Sequence, residues 1–184
     1  MKGKSLISTL LPPTIFEAPV VPQTGEFKRL ADMTIPRNYH SFALLMRDGR
    51  IFAAGGGLCG SCSTNHPDAE IFTPPYLLNN DGTLATRPVL SNAPAQISAG
   101  TTINVTLDSS QSHSFALVRT AAATHSVNND QRRIPLNVIS RSGGSFSLEI
   151  PSNQNVVIPG NYFLFAMNER GVPSEAALVN VANR

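Results

Sequence analysis

Seven short strand candidates recur about every ten residues through the second half of the chain, and this spacing limits the fold more than any other feature. They lie at 95–98, 102–107, 114–119, 133–139, 145–150, 162–167 and 176–181. Turn-rich clusters separate them: Ala99-Gly100, Asp108-Ser109-Ser110, Ser142-Gly143-Gly144 and Pro159-Gly160-Asn161. Within strands, alternate residues face the same side, so Phe146, Leu148 and Ile150 share a face, as do Phe163, Phe165 and Met167. Seven such strands in about a hundred residues read as an immunoglobulin-like β-sandwich over residues 86–184. With two cysteines and no tryptophan, the chain lacks the Cys…Trp…Cys core of antibody-type domains. Only 14% of residues are charged, which also favours an all-β chain over long helices.

The first half is organised differently. Residues 1–35 contain Pro12, Pro13, Pro19 and Pro22 and keep no sustained period, so they read as an extended lead-in. The stretch 26–33 fits one strand or a single helical turn. From His40, alternating residues lead into Arg47-Asp48-Gly49-Arg50, and Ile51-Phe52-Ala53-Ala54 returns, which predicts a hairpin on an Asp-Gly turn. Gly55-Gly56-Gly57 follows, a place where the backbone needs freedom or close approach. A further strand at 69–72 ends at Thr73-Pro74-Pro75-Tyr76. Strand, turn, strand, triple glycine and strand resemble one blade of a kelch-type propeller, so residues 36–85 read as the remnant of a last blade.

Two polar stretches carry the chemistry. Arg37-Asn38-Tyr39-His40-Ser41 puts a phenol beside an imidazole, and Thr124-His125-Ser126 puts a second imidazole near the tip of a long hairpin. Imidazole nitrogens with a phenolate oxygen are a donor set suited to copper. In a regular strand Tyr39 and His40 would face opposite sides, so both reach one ion only where the backbone is irregular. The bland alternatives are a surface histidine on a polar loop and one buried, one exposed neighbour. Cys59 and Cys62 form C-x-x-C with His66 four residues on, which suits a redox pair, a partial zinc site or a short disulfide. Asn104-Val105-Thr106 matches a glycosylation pattern but falls inside a strand candidate and reads as chance. His113 reads as structural or solvated.

A net charge of +2 argues against a nucleic-acid surface, and the pair Arg132-Arg133 reads as solvated or structural. No run of about 18 apolar residues predicts a membrane span. The start, Met1-Lys2-Gly3-Lys4 before a short apolar stretch, has no clear small-residue cleavage site, so a signal peptide is not evident.

Taken in order, several uncommon strings resemble the C-terminal part of the galactose oxidase and copper radical oxidase family. They are 36–41, the hairpin through Asp48-Gly49-Arg50, and Gly55-Gly56-Gly57-Leu58-Cys59-Gly60 with Cys62, Asn65 and His66. Thr73-Pro74, Thr86-Arg87-Pro88, Thr124-His125, Asp130-Gln131-Arg132-Arg133 and Gly171-Val172-Pro173-Ser174 continue the match over residues 36–182. The resemblance implies a last propeller blade followed by an early-set immunoglobulin-like domain, and one copper ion. It makes His40 and His125 equatorial ligands and Tyr39 an axial ligand that accepts the substrate hydroxyl proton. It pairs Cys59 with Cys62 as a disulfide and implies a secreted or extracytoplasmic protein. The family's second tyrosine, cross-linked to cysteine as radical and ligand, matches no residue here, because Tyr76 and Tyr162 match positions outside the copper site.

The resemblance therefore implies part of an enzyme that turns a primary alcohol or aldehyde and O2 into an aldehyde or acid and hydrogen peroxide. This chain alone is expected to be inactive, with the missing blades possible on another chain. The alternative is a non-catalytic β-sandwich, a carbohydrate-binding or assembly module whose blade edges invite pairing.

Overall fold

The computed structural model describes residues 17–21, 26–35, 37–57, 60–61 and 65–182. Among them every regular element is a strand, apart from one turn of 3-10 helix at Pro75–Leu77. By packing they fall into two units. One comprises residues up to Leu44, Phe52–Ile71 and Ala123–Val127; the other comprises Leu45–Ile51, Phe72–Ala122 and residues from Asn128 onward.

In the first region, β1 (Glu17–Val21) and β2 (Glu26–Arg29) pair antiparallel, with Val20 opposite Phe27. The stretch from Glu26 is thus a strand and not a helical turn, and the lead-in contains regular pairing. Strands β3 (Phe42–Leu45), β4 (Ile51–Ala54) and β5 (Ala69–Phe72) form a three-stranded sheet in that order. Phe42 and Phe52 stack across it with ring centroids 5.9 Å apart, and Ala53 and Ala54 are buried.

The second unit holds β6 (Leu90–Asn92), β7 (Gln96–Ile97), β8 (Thr102–Leu107) and β9 (Ser114–Arg119); the finger of β10 (Ala123–Thr124) and β11 (Val127–Asn128) that comes next belongs, up to Val127, to the first. The second unit continues with β12 (Arg133–Ser142), β13 (Ser145–Glu149), β14 (Gly160–Met167) and β15 (Ala177–Val181). Eight of these form one curled sheet in the order β6-β8-β13-β12-β9-β14-β15-β7. The curl becomes a sandwich because β12 serves both layers. Its first residues, Arg133 to Leu136, pair with β9, and from Asn137 it pairs with β13. A bulge between Val138 and Ser140 follows just after the change, as expected where a strand bends.

The core follows the alternation. Ile103, Val105 and Leu107 of β8, Phe146 and Leu148 of β13, Phe115 and Leu117 of β9 and Val179 of β15 form one buried cluster. On β14 the residues facing this cluster are Tyr162, Leu164 and Ala166. Phe163 and Phe165 share a face, as the sequence predicts, but it is the opposite one; their rings lie 6.1 Å apart there. The buried Tyr162 keeps its hydroxyl satisfied by donating to the Ile158 carbonyl at 2.9 Å.

Several of the uncommon strings turn out to be clamps. Arg87 Nε donates to the Pro173 carbonyl at 2.8 Å and its Nη2 to the Ser174 carbonyl at 2.6 Å. Ser174, fully buried, accepts from the Ala166 N–H through its hydroxyl at 3.1 Å. The two feet of the finger are joined by an ion pair between Arg119 and Asp130, and Arg119 also lies over the Tyr162 ring at 5.2 Å. Arg132 caps the Val156 carbonyl at 2.9 Å, a structural role for one of the two paired arginines.

The turn between β3 and β4 belongs to this same unit. Asp48 accepts from the Arg50 N–H at 3.0 Å and from Arg50 Nε at 2.7 Å, the side-chain bonding that makes Asp common at turns. Partial burial pushes its carboxyl up, yet Arg50 and then Arg87 hold it below the ordinary value. Arg47 and Ala176 exchange two bonds, Nε to carbonyl at 2.7 Å and amide to carbonyl at 2.9 Å. Tyr76 donates its hydroxyl to the buried Gly49 carbonyl. Burial pushes the Tyr76 phenol up to about 12, slightly offset by Arg87.

Tyr76→Phe is expected to strand the Gly49 carbonyl and cost about 1–3 kcal/mol. A lower urea midpoint at unchanged slope would show it. Because the folded-state value is raised, the stability linked to this phenol is present below the ordinary value of about 10 and drains away as pH climbs from there toward 12. Tyr76→Phe should remove that part of the alkaline decline.

Candidate metal centre

The centre is built on a buried arginine. Arg37 donates through Nη1 to the Gly55 carbonyl at 2.9 Å and to the Asp68 carbonyl at 3.1 Å. Its Nη2 meets Asp68 Oδ1 at 3.2 Å and Glu70 Oε2 at 3.6 Å. The guanidinium is wholly covered, so this pairing is what makes its burial tolerable. Glu70 in turn accepts from the Thr34 N–H at 2.9 Å. Arg37 therefore ties the loop ahead of β3 to the end of β4 and to β5. The sequence assigns Arg37 no role; the available signal is an arginine two residues before a Tyr-His pair.

The loop then turns back on itself. Ser41 N–H donates to the Asn38 carbonyl at 3.0 Å, and His40 has φ 63°. That left-handed residue removes the strand rule that would send Tyr39 and His40 to opposite faces. Their rings instead lie 3.9 Å apart, centroid to centroid, tilted by 31°. The triple glycine explains itself here. A Cβ on Gly55, whose φ is 74°, would stand 2.6 Å from the His40 carbonyl oxygen. Gly57 N–H donates to the Tyr39 carbonyl at 2.9 Å. Freedom and close approach are both in use.

The third ring comes from the finger. Its strands are joined by His125 and Ser126 alone, with φ 51° and 65°. Two positive φ values in a two-residue loop are the pattern of a type I′ turn, which favours Asn-Gly. Asn128-Asn129-Asp130, though turn-forming residue types, form the foot, where Asn129 N–H donates to the Ala122 carbonyl at 3.1 Å. Thr124 Oγ1 lies 2.6 Å from His125 Nδ1. That contact occupies Nδ1 and leaves Nε2 as the available nitrogen.

The three rings converge. His125 lies 5.2 Å from His40 and 5.7 Å from Tyr39, centroid to centroid. All three residues are solvent-exposed, Tyr39 by 45%. Among the described residues the non-glycine positions with positive φ are His40, His125 and Ser126. Strain of this kind costs about 1–3 kcal/mol per residue and persists where surrounding structure enforces it. Two imidazoles and a phenol so placed fit copper by donor type. Among the described residues no three His, Cys, Asp or Glu side chains gather as a cation site; here the third donor is the phenol.

The remaining candidates are elsewhere. His113 is buried, with Nδ1 2.8 Å from the Gln111 carbonyl oxygen and its ring edge-on to Phe146 at 5.8 Å. Cys59 and Cys62, expected as a disulfide, lie outside the described residues. The described residues include no helix long and apolar enough to cross a membrane.

Comparison with known proteins agrees with this architecture. Residues 87–181 match the family model described as "Galactose oxidase-like, Early set domain". A galactose oxidase from Gibberella zeae is 48% identical over 162 residues, covering 88% of this chain and 24% of that protein. An aldehyde oxidase from Vitis pseudoreticulata is 30% identical over 169 residues, covering 84% and 32%. A solved fungal alcohol oxidase in complex with copper superposes with a TM-score of 0.83 at 46% identity, covering 88% of this chain and 34% of that one. The chain spans about a quarter to a third of the length of these two oxidases.

Gly55→Ala should cost more than Gly82→Ala. Gly82 has φ 83° but open space around it, whereas Gly55 adds a backbone collision to the same conformational penalty. Denaturant midpoints for the two variants, with His40 ring signals by NMR, check this. A displaced His40 signal is expected only for Gly55→Ala.

Proposed function

We propose, from the premise that this chain belongs to the galactose oxidase-like family through its early set domain, that it is the C-terminal portion of a copper radical oxidase. In this reading Tyr39, His40 and His125 hold one copper ion. The observation that carries it is the convergence of three rings on left-handed backbone at both histidines, strain that no packing role of these exposed side chains explains.

Copper, when bound, would supply one-electron chemistry and acidify a coordinated phenol. The chain's own residues do the rest. Thr124 holds the His125 ring at Nδ1; with Nδ1–H donating to that hydroxyl, Nε2 would be the lone-pair donor offered to the metal. Tyr39, exposed beside His40, would accept the proton of a substrate hydroxyl. Arg37 and Gly55 keep that loop in its turned-back form.

The complete protein would turn a primary alcohol or aldehyde and O2 into an aldehyde or acid and hydrogen peroxide, outside the cytoplasm. These residues supply one side of the centre. Of the three tyrosines, Tyr76 and Tyr162 have their hydroxyls committed to the Gly49 and Ile158 carbonyls. The radical partner and the pocket walls would come from propeller blades beyond these residues, on the same or another polypeptide.

Copper titration of the purified chain followed by calorimetry tests the ligand set. One ion per chain is expected, with His40→Ala and His125→Ala each weakening binding by at least the roughly 10–100-fold that outer-shell substitutions cost. Unchanged weak binding in either variant would favour a non-catalytic sandwich, a carbohydrate-binding or assembly module. The copper-loaded chain should release no peroxide with a primary alcohol; release would refute the need for a further radical residue.

A further inference from the structure

Strand β8 carries Asn104-Val105-Thr106, the only Asn-x-Ser/Thr tripeptide in the sequence. A strand buries alternate residues, so a tripeptide of this kind has two possible registers. Here Val105 is fully buried in the sandwich core, while Asn104 is exposed and Thr106 half-buried on the outer face. The acceptor amide and the hydroxyl two residues on therefore share the solvent side. Asn104 lies opposite Ser147 of β13, whose hydroxyl donates to Asn104 Oδ1 at 2.7 Å. That bond fixes the amide with its oxygen toward β13. Its Nδ2 has no hydrogen-bond partner among the described residues.

A second observation lies beside it. Asn104 lines an open groove of about 500 Å³ together with Asn92, Gln96, Thr101 and Thr102. Amide and hydroxyl side chains of this kind match the hydroxyl and N-acetyl groups of a sugar. Asn92 ends the edge strand β6 and Gln96 begins the edge strand β7, so the groove lies where the curled sheet is open.

We propose that Asn104 is an N-glycosylation site and that the inner sugars of its glycan rest in this groove. The donor is a lipid-linked oligosaccharide. A bond forms between Asn104 Nδ2 and C1 of the first sugar, the C1–O bond to the lipid diphosphate breaks, and the diphosphate leaves with its electron pair. The amide proton passes to a base of the transferase. Transfer to the unfolded chain precedes strand pairing, so the location within β8 is no obstacle. Folding requires only that Nδ2 end up facing solvent. The proposal rests on the extracytoplasmic location given above.

The test expresses the full chain in yeast with an appended secretion leader, and recovers it from both the medium and the membrane fraction. One discrete mobility step removed by peptide N-glycosidase F is expected. It should vanish in Asn104→Gln and in Thr106→Ala and persist in Thr106→Ser. No step in either fraction overturns the site. The side-chain amide NMR signals of Asn92 and Gln96 in the folded glycoprotein should differ from those of the same chain made without glycan in bacteria, where Asn104 is kept; identical signals overturn the groove. Fractionation of the native host, with the protein followed by antibody, reads the location separately. Recovery only from the cytoplasm there, alongside a glycosylated leader-bearing chain, would refute the location and leave the acceptor standing.

Discussion

Two neighbouring side chains can serve one centre only if the backbone between them stops behaving as a strand. At His40 it does, through a left-handed residue, and much of the first unit is arranged to hold it there. A histidine adopts this conformation at a cost of about 1–3 kcal/mol. The offset comes from a buried guanidinium that bonds two carbonyls and the Asp68 carboxylate and pairs with the Glu70 charge, and from glycines that let the loop lie against β4 at a distance no side chain would allow. Arg37 and Gly55 are therefore two parts of one device. The arginine pulls the loop in, and the glycine makes room for it.

The finger solves the same problem by another route. A type I′ loop would be least strained with Asn-Gly. This chain spends both positions on His125 and Ser126 and accepts two unfavourable residues. The compensation lies at the feet, in the Arg119–Asp130 ion pair and the backbone bond between Asn129 and Ala122, and at the tip in the contact between Thr124 and the imidazole. Local sequence preference and observed geometry disagree at the candidate ligands and agree almost everywhere else. Such disagreement is what the proposed metal role expects of its ligands.

Much of the sandwich was legible because period-2 alternation and turn residues are local signals. Strands at 102–107 and 114–119 have the expected limits, and the Asp48-Gly49 turn is where its residues put it. What was hidden depends on distant partners. The inward face of β14 could not be chosen between Tyr162-Leu164-Ala166 and Phe163-Phe165-Met167, because both sets are apolar and pairing with β9 and β15 decides. Strand β6 is short and precedes a proline, so it gives little signal. The convergence of His40 and His125 joins residues 85 apart and rests on φ values that neither sequence neighbourhood predicts. Arg37 was missed for a related reason: its partners at Gly55, Asp68 and Glu70 are invisible until the strands pair.

The shared strand β12 gives the sandwich a property that two separate sheets would lack. Its first half is hydrogen-bonded into one layer and its second half into the other, with the peptide chain continuous through the bulge. The layers are coupled covalently as well as through apolar contact. Sliding one over the other would tear a single ten-residue ribbon, so slow amide exchange in β9 and in β13 should share one opening event. A mechanical load applied at either end of that ribbon would be carried by both layers in series.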